Sequence, residues 1–160
     1  MLQITIACVG KIREPYLREG IREFEKRLSG YCRLQWIEVP DEKTPDSASE
    51  KEEAHIREVE SERLLSRLPE RAHRIALTPE GKKQTSPAMA ARIAALENSG
   101  ISHLVFLIGG SLGLSEAAKA NAMEQWSFSD LTFPHMLMRL ILLEQIYRSF
   151  RINRNEPYHK

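Results

Sequence analysis

The chain holds only two cysteines in 160 residues, Cys8 and Cys32, and neither sits in a CxxC pair or a Cys/His ligand spacing. That excludes a disulfide framework and a structural metal staple, and leaves two buried, reduced thiols as the expectation. Long apolar runs are also missing. None reaches the roughly 18 residues that a membrane span needs, and Met1 to Val9 lacks the basic start and small-residue cleavage site of an export signal. The expectation is a soluble, cytoplasmic protein with no membrane partner. Several catalytic signatures are absent too. There is no GxxxxGK[ST] phosphate loop, no GxGxxG fingerprint, no GxSxG elbow around Ser111 and no HExxH. The histidines at 55, 73, 103, 135 and 159 are scattered without metal spacing, so no metal is expected.

What is present suits one globular domain spanning residues 1–160. A chain of this length can bury about 70% of its unfolded surface, and 42% of its residues are hydrophobic. The net charge of +1 conceals an uneven distribution. Pro40 to Glu70 carries ten acidic and five basic side chains, whereas Lys11 to Arg33 carries seven basic and four acidic, and Arg139 to Lys160 five basic and two acidic. This permits a polyanionic partner on one face without demanding one, since solvated helix faces would look the same.

Apolar runs bounded by turn residues mark strands at Leu2 to Val9, Leu34 to Val39, Arg74 to Leu77 and His103 to Ile108. Helical stretches lie between them. Pro15 opens one ending near Gly30, Ser49 and Glu52 form a capping box for a charged helix to Leu68, and Ser86-Pro87 opens one that Gly100 closes. Ser115 caps a short helix from Glu116 to Met123, and Pro134 begins the last. Alternating strands and helices predict an α/β domain on a mostly parallel sheet, with ligands at the carboxyl ends of its strands.

Three segments should therefore share one rim: Leu77 to Lys82, Gly109 to Gly113, and Ser129 to Pro134. Glycines in the second let backbone amides approach a ligand, although a glycine turn after a strand is often only a structural corner. His135 follows the third segment in the first turn of the final helix, where the helix dipole favours a neutral imidazole. A capping or packing role would suit it equally. That helix is apolar from Met136 to Ile146 except for Arg139 and Glu144, so it should be covered on more than one side, which implies a partner surface. Beyond it, Arg148, Arg151 and Arg154 lead to Pro157-Tyr158-His159-Lys160, a cluster able to stack on bases, exchange protons and contact phosphates.

With these pieces in place, the sequence resembles the RlmH (YbeA-like) family of SPOUT methyltransferases. The likeness runs over essentially the whole chain. It is carried by Ile6-Ala7-Cys8-Val9-Gly10-Lys11, Ile37-Glu38-Val39-Pro40, Leu107-Ile108-Gly109-Gly110-Ser111, Ser127-Phe128-Ser129, Leu131-Thr132-Phe133-Pro134-His135, Glu144-Gln145-Ile146-Tyr147-Arg148 and Pro157-Tyr158-His159. Lys160 departs from relatives that carry arginine near the end; the cation is kept and planar bidentate phosphate contact is lost.

The resemblance implies a C-terminal trefoil knot, a homodimer, and S-adenosylmethionine held by Leu77, Gly110, Ser129, Asp130, Leu131, Thr132, Phe133 and Pro134. It further implies methylation of N3 of a pseudouridine in helix 69 of 23S, large-subunit, ribosomal RNA within assembled ribosomes, with no DNA partner. The imide proton must leave N3 as the methyl group arrives, so one positioned base is needed. His135, Arg148, Tyr158, His159 and Lys160 become the catalytic candidates. Either His135 or His159 could take the proton, Tyr158 could hold the base, and Arg148 and Lys160 could hold phosphate or imide oxygens. The tail is expected to cross to the partner subunit. Two rivals remain: a SPOUT methyltransferase for another rRNA or tRNA base, and a non-catalytic ribosome-associated factor.

Overall fold

A computed structural model describes residues 1–160. Five strands, β1 (Leu2–Val9), β2 (Cys32–Val39), β3 (His73–Lys83), β4 (His103–Ile108) and β5 (Glu124–Ser127), form one sheet in the order β2-β1-β4-β3-β5. Every pairing is parallel. Five helices connect and flank them: α1 (Pro15–Leu28), α2 (Glu50–Leu65), α3 (Ser86–Asn98), α4 (Glu116–Asn121) and α5 (His135–Asn153).

The strand sequences account for the layering. In β4, Leu104, Phe106 and Ile108 join a core with Ile4, Ile6 and Ile75 beneath α1, α3 and α5, while Val105 and Leu107 face Ala7, Ala76 and Leu64 beneath α2 and α4. A parallel strand covered on both faces reads as a continuous apolar run, and β1 and β4 do. The edge strand β2 is more polar, with Arg33, Gln35 and Glu38 exposed. Cys8 and Cys32 are both buried and free, and burial pushes each thiol up to about 12, so both stay protonated.

Several boundaries differ from expectation. β5 escaped recognition because it is four residues long, with Glu124 and Gln125 leading Trp126 and Ser127, and only β3 pairs with it. Leu77 to Lys82 is not simply a loop after a strand. Leu77 pairs with Trp126, the chain then bulges, and Lys82 and Lys83 pair again with Trp126 and Ser127. α2 ends at Leu65 rather than Leu68, α4 ends at Asn121 rather than Met123, and the α3 cap is Thr85, whose hydroxyl accepts the Ala88 amide. The Met123 amide instead donates to the Arg74 carbonyl, drawing the chain into β5.

α5 lies between α1 and α3. Gly20 allows the α1 crossing, since a Cβ there would meet Leu140 at 2.9 Å. Two sides of the apolar helix are therefore covered within the chain, while Leu137 and Ile141 remain half-exposed. Arg139, which interrupts the apolar pattern, is among the most buried side chains, 1% exposed. Its guanidinium donates to Glu38 Oε2 at 2.6 Å and to the Val9 and Gly10 carbonyls at 2.9 and 2.8 Å, tying α5 to the end of β1.

Candidate active site

The carboxyl ends of β3, β4 and β5 meet at one cavity of about 150 Å³, which adjoins a wider hollow of about 770 Å³. Local chemistry shapes each wall. The β4 loop doubles back on itself: the Gly113 amide donates to the Gly110 carbonyl at 3.0 Å, and a Cβ on Gly109 would lie 2.4 Å from the Gly113 carbonyl carbon. Gly113 also takes φ of +87°, a left-handed conformation that side chains oppose. At the β5 exit, the Leu131 amide donates to Ser129 Oγ at 2.9 Å, turning the chain toward α5. The amides of Ser111, Leu112, Thr132 and Phe133 donate to no acceptor within the protein, which leaves main-chain donors for a ligand.

All the predicted cofactor contacts converge here. Leu77, Gly110 and Ser129 to Phe133 line the cavity, and Pro134 lines the adjoining hollow. Trp126, Phe128 and Met138 also line it and were not anticipated. Trp126 belongs to the strand that the sequence did not reveal, and Met138 read only as part of an apolar stripe.

Two braces support these loops. Glu80 in the β3 bulge accepts hydrogen bonds from Lys119 and Thr78, which together hold its carboxyl down at about 2. The second brace is α2, the acidic helix. Ser61 Oγ accepts the Ser115 amide and Glu60 Oε2 the Glu42 amide, both at 2.9 Å. Glu60 Oε1 has no partner and would stand 2.8 Å from a Cβ on Gly110. Burial raises the Glu60 carboxyl, against the opposing Glu42 hydrogen bond.

His135 borders both parts of the site. Its imidazole is half-buried, and burial followed by the charge of Arg139 lowers its pKa, with Asp41 and Glu14 opposing. The neutral form expected from its place in the helix is the favoured one, through desolvation and a buried cation.

The remaining candidates gather at the other end of α5. Tyr158 donates to Glu144 Oε2 at 2.9 Å, its ring meets Tyr147 edge-on at 4.9 Å, and Arg148 lies 4.8 Å over its face. Burial, then the Glu144 bond, raises the Tyr158 phenol, so it stays a donor. Arg148 also pairs with Glu144 at 2.8 Å and donates to His159 Nδ1 at 3.1 Å. Arg151 holds the tail through Glu156 at 2.9 Å and the Pro157 carbonyl at 3.0 Å. The tail is thus docked rather than frayed. Lys160 is exposed and makes no ion pair. Arg148 lies thirteen helical steps beyond His135, about 20 Å at 1.5 Å per residue, so one chain does not bring the two clusters together.

A family model described as "Predicted SPOUT methyltransferase" matches residues 2–159. Proteins named "Ribosomal RNA large subunit methyltransferase H" from Bifidobacterium animalis and Exiguobacterium sibiricum are 54% and 50% identical to the chain, each over 99% of it and 100% of their own length. A third, "Ribosomal RNA large subunit methyltransferase H 1" from Clostridium perfringens, is 50% identical over the same shares. Among solved structures, a probable methylase family protein from Haemophilus influenzae superposes with a TM-score of 0.56 over 98% of this chain and 70% of that one. At 11% identity it supports the fold alone.

Proposed function

Since the chain belongs to the SPOUT methyltransferases, in the branch of the ribosomal RNA large subunit methyltransferase H proteins, we propose that it methylates N3 of a pseudouridine in helix 69 of 23S ribosomal RNA. The substrate is the assembled ribosome in the cytoplasm, and the methyl donor is S-adenosylmethionine. The relatives' names support ribosomal RNA methylation.

The residues at the cavity fit that donor. A planar base suits the apolar walls of Leu77 and Phe128, and the free amides of the Gly110 and Thr132 loops suit its polar edges. When bound, S-adenosylmethionine supplies an electrophilic methyl group. The chain's own residues orient the base and remove its proton. His135 is the better acceptor, because it is neutral and borders the cavity, whereas His159 Nδ1 already accepts from Arg148. Arg148 and Lys160 hold imide oxygens or phosphate, and Tyr158 holds the base.

The observation that carries this reading is the convergence of three strand-end loops on one cavity beside a neutral imidazole. The separation along α5 supports a homodimer in which one subunit's tail serves the other's cavity, joined through faces that include Leu137 and Ile141. A trefoil knot is part of the same reading, supported by membership in the SPOUT family. Incubating the protein with labelled S-adenosylmethionine and ribosomes lacking the modification should label that pseudouridine in 23S RNA. Label on another base would sink the assignment of the target, and no label on ribosomal RNA would sink the activity.

A further inference from the structure

A second groove lies outside the methyl-donor cavity, between α1, the edge strand β2 and the loop that follows β1. It has a volume of about 350 Å³ and runs into a hollow of about 920 Å³ that ends at His135 and Met136. Its lining mixes charges, and the cations at the α1 and β1-loop side are the unpaired ones. Lys11 and Arg22 line the groove and Arg13 the hollow, all three exposed and without ion pairs. Arg18 donates from Nε and Nη2 to the Ile12 carbonyl at 3.0 and 2.8 Å, which pins the loop in place.

Two of the carboxylates that line the groove and its hollow have partners. Glu38 takes the buried Arg139, and Glu25 accepts the Trp36 indole N–H at 3.2 Å. Glu14 and Asp41 flank the far hollow nearer His135. Trp36, half-buried, gives the groove a flat aromatic wall, and Arg139 beneath keeps a buried Nε without a partner. Unpaired cations beside an aromatic face form the combination that holds a single nucleic acid strand by phosphate contact and stacking.

We propose that this groove binds the phosphate backbone of the substrate RNA beside the target base. The inference rests on the rRNA-methyltransferase reading for the identity of the strand. His135 joins the two places, since it borders both the hollow and the methyl-donor cavity. A strand lying along Lys11, Arg13 and Arg22 therefore delivers its base to the imidazole. Specificity for position along the RNA then comes partly from this groove.

The test compares Lys11→Glu/Arg22→Glu with Lys43→Glu/Lys51→Glu, which changes net charge equally at exposed positions elsewhere. Co-sedimentation with assembled ribosomes at graded salt should show the groove pair weakened at least about tenfold, with a salt slope shallower by about 0.7 per lost contact. The control pair should stay within about twofold, and calorimetric binding of S-adenosylmethionine should be unchanged in both. Equal losses in the two pairs, or wild-type binding by the groove pair, would overturn the proposal. A photo-crosslinker at position 13, introduced as Arg13→p-benzoylphenylalanine, should label ribosomal RNA; labelling of a ribosomal protein alone would overturn it too. Methyl transfer measured in parallel separates the two readings. Groove-dependent RNA binding without transfer by the wild type removes the reaction and keeps the groove, whereas transfer by the groove pair with unchanged KM keeps the reaction and removes the groove.

Discussion

The two ends of α5 are built from different materials. At its N-terminal end, glycines, hydroxyls and main-chain amides enclose a small cavity, and one half-buried imidazole is kept neutral by desolvation and by Arg139. At its C-terminal end, Arg148, Glu144, Tyr158 and His159 form a charged, aromatic network on the surface, held by short polar contacts. The first end is rigid because backbone packs on backbone and nothing can shift cheaply. The second is cohesive through side chains alone, so its polar partners can be exchanged without moving the backbone. Under the proposed function the contrast becomes a division of labour: one end would shape a pocket for a small molecule, and the other would present replaceable contacts to a large one.

The comparison is broken most directly by Gly109→Ala. The new methyl group would strike the Gly113 backbone, costing about 1–3 kcal/mol of stability by overpacking and abolishing S-adenosylmethionine binding by calorimetry; retained binding would show that the loop is softer than described. His135→Gln should keep cofactor binding while lowering kcat by about 10²–10⁴, the usual contribution of a positioned base. Its pH profile carries the sign. Because the His135 pKa lies below its ordinary 6.5, wild-type activity should fall only on acidification below that value, and this limb should vanish in the variant.

Removal of Tyr158 to Lys160 should leave cofactor binding intact and lower kcat/KM by about 10²-fold, on the scale of lost orientation. Mixing that truncation with His135→Gln then sharpens the comparison. In a two-fold dimer with sites shared between subunits, random pairing restores roughly a quarter of wild-type activity, whereas no recovery would place the whole site in one subunit. The smallest effect is expected far from both ends. Burial would raise the Glu124 carboxyl, but hydrogen bonds from Arg92, His73 and Trp126 outweigh it and hold the group at about 2. Its stabilisation is therefore complete above its ordinary pKa of 4.5 and is lost as pH falls toward about 2. Glu124→Gln should lose about 1–3 kcal/mol at neutral pH, with the gap to wild type closing across that acid range in denaturant melts.

Legibility followed the range of the interactions. Central strands were readable because burial on both faces leaves a continuous apolar run, and helix starts because Ser49 and Ser115 hydrogen-bond residues three positions away. β5 was not, since Glu124 to Ser127 becomes a strand only by pairing with a β3 that leaves and rejoins the register. The loops around the cavity were reached through family likeness, while Phe128 and Met138 were missed because an apolar residue gives no sign of lining a cavity rather than a core. Glu60 was hidden for a related reason: among ten acidic side chains between Pro40 and Glu70, nothing local distinguishes the one that braces a glycine loop.

By itself the sequence determined the α/β alternation, the shared rim of loops and the apolar character of α5, because each depends on neighbours along the chain or on periodicity, whereas the neutral state of His135 rests on burial and on the buried Arg139. Only the tertiary structure decided that Arg139 is buried as a tie to β1, that α1 and α3 cover two sides of α5, that the acidic helix supports the glycine loop, and that a basic groove opens beside His135. Those features join residues up to 130 positions apart. Their energies come from desolvation and packing between elements, which exist only after the sheet has brought them together.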